Sequence, residues 1–156
     1  TLLARIHEIS TQLRPTLLDD LGLKEAIQSY LSEYERVTGI LPQAVLRFDH
    51  ANVSTVVSQN VFRIVQEALT NVAKHSRATE VQIELHVTAD QVTLSVRDDG
   101  VGFAPAALDG RRLGMLGMRE RAELLDGSFS VRSAPGKGTQ LAVNIPIRTA
   151  SSGGSS

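Results

Sequence analysis

Apolar residues recur at Leu2, Ile6, Ile9 and Leu13, in steps of four, three and four. That spacing draws a narrow seam along a helix over residues 1–18, of the kind that pairs with a neighbouring helix. Pro15 disfavours a helical conformation at Arg14, so the helix ends or bends there. A second helix is predicted over residues 23–37, with Asp19 or Asp20 as its cap and Gly39 as its stop. A short strand follows at 44–48, then a long helix from Ser54 or Thr55 to Ser76. At about 100° per residue, Phe62, Val65, Ala68, Leu69, Val72 and Ala73 fall on one arc of that helix, its core face. The period then drops to two. Val81, Ile83, Leu85 and Val87 alternate with polar residues, and so do Val92, Leu94 and Val96, which predicts a hairpin with one face buried and one face wet. Residues 98–113 are rich in Gly, Pro and Ala without a period and read as a long loop. A helix over 115–125 stops at Asp126-Gly127, and strands over 128–133 and 139–147 flank Ala134-Pro135-Gly136-Lys137-Gly138. The expected fold class is α+β: a two-layer α/β sandwich whose mixed, mostly antiparallel sheet carries helices on one face.

Composition narrows the function. Of 156 residues, 42 % are hydrophobic and 21 % charged, the balance of a soluble folded domain rather than a disordered chain. Sixteen basic residues against seventeen acidic ones give a net charge of −1, without the positive footprint of a nucleic-acid binder. The absence of cysteine excludes disulfides, thiolate metal sites and cysteine nucleophiles. No apolar run approaches the ~20 residues of a membrane span, and no signal peptide is visible, so a cytoplasmic domain is expected. The helical pattern is already running at Thr1, which suggests a piece of a longer protein. Residues 149–156 form a Ser/Gly tail, expected to be disordered.

Four segments could carry chemistry. On the long helix, Glu67, Asn71, Lys74 and His75 share an arc of roughly 100° away from the core face. Alone, such a stripe is an ordinary solvated face. Facing a ligand, it would offer oxygens suited to magnesium and its waters, and cations suited to phosphate. Asp98-Asp99-Gly100-Val101-Gly102-Phe103 follows directly on an alternating strand. A turn would explain the Asp-Gly pair, but not the second glycine or a carboxylate ending the strand. An Asp there could accept from an adenine amino group while the glycines let the backbone approach a flat base. Gly114-Met115-Leu116-Gly117-Met118-Arg119-Glu120-Arg121 runs into a helix, whose free N–H groups can meet phosphate. It is not a Walker loop. Gly136-Lys137-Gly138-Thr139 by itself is a plain hairpin turn.

In this order the four become distinctive. Glu67-Ala68-Leu69-Thr70-Asn71-Val72-Ala73-Lys74-His75 resembles the N box of histidine kinases, and the three glycine segments resemble their successive glycine boxes. Leu13-Arg14-Pro15-Thr16-Leu17-Leu18-Asp19-Asp20-Leu21-Gly22-Leu23 and Met118-Arg119-Glu120-Arg121 are similar to signatures of the nitrate-sensor-like subgroup of sensor histidine kinases. The resemblance spans residues 2–147. It implies the Bergerat ATP-binding fold shared by gyrase-type ATPases, chaperones, histidine kinases and mismatch-repair proteins, in a domain over 23–148. Residues 1–22 would then be the end of a helical dimerisation and phosphotransfer hairpin. It also implies ATP and Mg2+ as cofactors. Asn71 would be the metal ligand, with Glu67 acting through a metal-bound water or in proton removal, and Lys74 and His75 near the phosphates. Asp98 would read adenine, with Gly100 and Gly102 as close-approach glycines and Thr139 touching the base. Residues 103–113 would form a mobile lid. Gly114, Met115, Leu116 and Gly117 would wrap the phosphates where the lid meets its helix.

The implied partners are the phosphotransfer hairpin of the same kinase and a cognate response regulator, in a homodimeric parent that is either free or anchored in the inner membrane. His7, in Arg5-Ile6-His7-Glu8, mimics the phosphoacceptor motif. It lies only seven residues before Arg14, however, on what resembles the second hairpin helix, and reads as an ordinary helix residue. The acceptor histidine is therefore expected outside this chain. The competing readings are an ATP-hydrolysing clamp of the same superfamily and an anti-sigma-factor-like serine kinase or nucleotide-binding regulator. The Leu-Arg-Pro to Gly-Leu segment argues against the latter.

Overall fold

The computed structural model describes residues 15–49, 53–104 and 110–147. The predicted seam from Leu2 to Leu13, His7 and the 149–156 tail lie outside the described residues. Helix α1 (Pro15–Thr38) consists of two helical pieces joined at Gly22, whose φ of 86° and ψ of 172° leave helical space. Glycine meets that conformation without a Cβ penalty. Asp19 and Asp20, expected to cap the second helix, instead lie within the first piece. Beyond Gly22, Leu23, Ala26, Ile27, Tyr30, Leu31 and Tyr34 point into the core. This piece is therefore integral to the domain.

Strand β1 (Gln43–Phe48) lies at the sheet edge, and α2 (Thr55–Asn71) crosses over to β2 (Val81–Val87), which runs parallel to β1. A parallel pair needs such a crossover. Ser54 caps α2, its hydroxyl accepting from Val57 N–H at 3.2 Å. Strands β3 (Gln91–Asp98), β4 (Ser128–Ser133) and β5 (Thr139–Pro146) complete a five-stranded sheet in the order β1-β2-β3-β5-β4, with every pairing after the first antiparallel. The alternation predicted from sequence sets the buried face. Ile83, Leu85, Leu94, Val96, Leu141 and Val143 meet Ile27, Phe62, Val65 and Leu69 of the helical layer in one core. Tyr30 stands edge-on to Phe62 at 5.9 Å between ring centres.

Two departures from expectation bear on the site. The last turn of the long helix, Val72–Ser76, is wound as a π-helix and ends at Arg77 in the left-handed region (φ 54°). An apolar arc at 100° per residue cannot reveal that change. The helix expected from residue 115 is longer: α3 (Gly110–Leu124) begins within the segment read as a loop. Gly114 and Gly117 are thus interior helix residues. A glycine inside a helix costs only about 1 kcal/mol relative to alanine, which the packing of α3 absorbs.

Candidate functional site

The four motif segments meet where β3 ends against the π-turn of α2. Asp98 is buried at the end of β3, and its Oδ1 accepts from Gly100 N–H at 2.8 Å. Asp99, one residue on, serves a different purpose. Its carboxylate accepts from Thr79 N–H at 2.9 Å, the Thr79 hydroxyl at 2.8 Å and Glu80 N–H at 3.0 Å. The Glu80 bond, followed by those from Thr79, holds the Asp99 carboxyl below the usual carboxylate range.

Backbone packing locks the loops. A Cβ on Gly100 would strike the Ser76 carbonyl, which itself accepts from Val101 N–H at 2.7 Å. Gly102 sits at φ 63° against the carbonyls of Ala134 and Gly138, and Gly136 N–H donates to Val101 at 2.6 Å. The first and third glycine segments therefore interlock, and the first rests on Ser76 at the end of the π-turn.

Asn71, His75, Asp98, Phe103, Met115 and Thr139 line a cleft floored by Ala68, Val72, Val96 and Leu141. Glu67 and Asn71, one turn apart on α2, come together under Gly114 of α3. A Cβ added to Gly114 would collide with Glu67 Oε1 and lie 3.2 Å from Asn71 Oδ1. Asn71 Nδ2 is closed to solvent without a hydrogen-bond partner among the described residues. A buried donor in that state calls for an acceptor, such as a water in the adjoining cleft. Lys74 is exposed on the π-turn, and Leu116 is 50 % exposed. Neither lines the cleft, and nor does Gly117. The enclosed space is about 20 Å³, room for one water, so a larger ligand needs its lining, Met115 of α3 included, to move apart. A wider hollow of about 660 Å³ on the open sheet face, over Arg47, Glu84, Thr93 and Ser130, contains none of the motif residues.

Two contributors escape motif reading. Tyr34, fully buried on α1, donates its hydroxyl to the Leu69 carbonyl at 3.0 Å, just before α2 becomes a π-turn. Burial, reinforced by Tyr30 and the Asp98 charge, pushes its hydroxyl well above the ordinary tyrosine range. Ser133, at the end of β4, bonds to Phe103, Gly138 and Thr139 together. Nothing in the sequence separates these two from other tyrosines and serines.

Residues 56–149 match the histidine kinase-, DNA gyrase B-, and HSP90-like ATPase family, and the chain belongs to that family. It is 35 % identical over 143 residues to the oxygen sensor histidine kinase NreB of Staphylococcus carnosus, covering 91 % of this chain and 41 % of that protein. It is 34 % identical over 151 residues to the signal transduction histidine-protein kinase/phosphatase DegS of Brevibacillus brevis, covering 94 % and 38 %. The chain thus spans about two fifths of the length of these curated relatives. Among solved structures, the histidine kinase domain of an Erythrobacter litoralis blue-light activated histidine kinase superposes with a TM-score of 0.69 at 21 % identity, over 94 % of this chain and 75 % of that one. The mycobacterial sensor histidine kinase MprB superposes with 0.59 at 20 %, over 81 % and 95 %. Those likenesses extend the agreement to the fold. Among the described residues no helix is long and apolar enough to cross a membrane.

Proposed function

We propose that this chain binds Mg-ATP and donates the γ-phosphoryl group to a histidine on the phosphotransfer hairpin of the same kinase, for relay to a response regulator. The observation that carries the reading is the convergence of four motif segments on one cleft of an ATPase-family fold. Asp98, buried and acceptor-rich, receives the exocyclic amino group of adenine, while Gly100 and Gly102 keep the backbone close to the base. Asn71 would hold magnesium through its amide oxygen, and Glu67 would orient a water on the ion or take up a proton. The residues fit that ion in their donor set: two hard oxygens, Glu67 Oε1 and Asn71 Oδ1, converge beside Gly114, where a side chain would strike the first and crowd the second. When bound, magnesium neutralises the triphosphate and draws the charge off the transferring phosphoryl. His75 meets the phosphates from the cleft wall, and Lys74 on the exposed side of the same π-turn reaches toward them. Gly114, Met115, Leu116 and Gly117, inside α3, would offer their main chain only once the start of that helix unwinds.

Residues 23–148 form the ATP-binding domain and 1–22 the end of the hairpin, a division supported by the break at Gly22. Residues 149–156 are a tail outside both. The parent is a homodimer joined through that hairpin, with this domain in the cytoplasm. Resemblance to two sensor kinases, NreB and DegS, favours this reading over an ATP-hydrolysing clamp. Calorimetric titration of ATP, with magnesium and then with a chelator, tests it. The expected result is saturable binding that weakens without magnesium and falls at least tenfold in Asp98→Asn, which keeps the shape but loses the charged acceptor. Binding that is absent, or indifferent to both changes, overturns the reading.

A further inference from the structure

The Ser133 hydroxyl has three partners: the Phe103 N–H at 2.9 Å, the Gly138 carbonyl at 2.9 Å and the Thr139 hydroxyl at 2.9 Å. A hydroxyl has one hydrogen and two lone pairs. A backbone N–H only donates and a carbonyl only accepts, so the Ser133 hydrogen is committed to Gly138 and one lone pair to Phe103. The remaining bond forms only if Thr139 is the donor. Thr139 thereby spends its single hydrogen on Ser133. The Thr139 oxygen is left with nothing but lone pairs to offer the cleft that it lines together with Asp98, its partner across the β3–β5 ladder. An ionised carboxylate is acceptor-only as well.

We propose that Ser133 is a positioning residue for purine selectivity. By holding the Thr139 hydrogen away from the cleft, it makes the polar wall an array of acceptors, which suits a 6-aminopurine and opposes a 6-oxopurine. The inference rests on the adenine-binding reading above and adds a residue that never touches the base. Without Ser133, the Thr139 hydroxyl turns freely and can donate to a carbonyl at purine C6.

The test is competition of ATP and inosine triphosphate against a fluorescent ATP analogue on the 156-residue chain. The parent chain should prefer ATP. In Ser133→Ala that preference should shrink by roughly five- to tenfold, the worth of one mismatched hydrogen bond. Ser133→Thr, which keeps the hydroxyl, should restore it. Thr139→Val should also lower the preference, and adding Ser133→Ala to it should change the ratio no further, because Ser133 acts through Thr139. Equal weakening of both nucleotides in Ser133→Ala would show a merely structural role and overturn the proposal, as would additive ratios in the double variant. Should Ser133→Ala not fold, Thr139→Val alone decides: an unchanged ratio sinks the assignment. A parent chain that binds neither nucleotide removes the nucleotide reading itself, whereas a parent preference for ATP that Ser133→Ala leaves intact removes only the role of Ser133.

Discussion

Gly114 and Gly117 are both interior to α3, yet their surroundings give them different meanings. Nothing lies within 4 Å of where a Cβ on Gly117 would stand. Ala there should stiffen the helix and stabilise the ligand-free chain by about 0.5–1 kcal/mol. The cleft, with Met115 of α3 in its wall, is too small for a purine until that wall moves. The same substitution should therefore weaken ATP several-fold. A Cβ on Gly114 would instead meet the far end of Glu67, a flexible group, and crowd Asn71. Gly114→Ala should fold, but with the Glu67 carboxylate displaced and magnesium dependence blunted. Thermal melts paired with ATP titrations separate the two. Equal behaviour of both variants would mean that the approach of α3 to α2 is not what Gly114 is for.

Tyr34 links α1 to α2 at the turn where α2 changes its winding. The Leu69 carbonyl accepts both its hydroxyl and the Val72 N–H. Tyr34→Phe should cost about 1–2 kcal/mol, a fall in Tm of roughly 3–6 °C, because the acceptor loses a buried partner. Asp99 performs a similar service for the entry to β2, but conditionally on pH. Its carboxyl is held below the ordinary value by the Glu80 and Thr79 donors. Its contribution is thus fully present above about pH 4 and is lost as pH falls through the lowered value. The difference in Tm between the parent chain and Asp99→Asn should close over that acid range; a gap constant from neutral to acid pH would contradict the linkage. These elements also mark how far the sequence could be read. Strands β2 to β5 were legible because one buried face forces alternation with period two. The four site segments were legible because each is contiguous. The break at Gly22 fell in the gap between the helices predicted over 1–18 and 23–37, but the π-turn and the start of α3 were not legible, since apolar arcs are blind to winding and a glycine reads alike in a loop or a crowded helix. Tyr34 and Ser133 act through single hydroxyls on elements far apart in sequence, and only the folded chain brings those hydroxyls to their partners.

At the scale of the molecule, the proposed activity divides between nucleotide and acceptor. Bound Mg-ATP should raise the melting temperature, since a ligand held a hundredfold above its dissociation constant contributes ~2.7 kcal/mol, roughly 5–10 °C for a chain of this size. Phosphoryl transfer asks for more: an imidazole must reach the γ-phosphate in line and near contact. Of the histidines in the motif segments, His75 lines the cleft from its own helix. In the proposed reading its part is to hold phosphate, and the attacking imidazole belongs to the hairpin. The 156-residue chain incubated with radiolabelled ATP should therefore acquire negligible label. Added in excess, a separate helical hairpin bearing an acceptor histidine should become labelled with an acid-labile, base-stable phosphate, slowly because the tether that raises local concentration is missing. Asp98→Asn should abolish that transfer through loss of nucleotide, while Gly117→Ala should slow it in proportion to its weaker binding. Label appearing on the chain alone and vanishing in His7→Ala would make His7 the acceptor and overturn this division of labour.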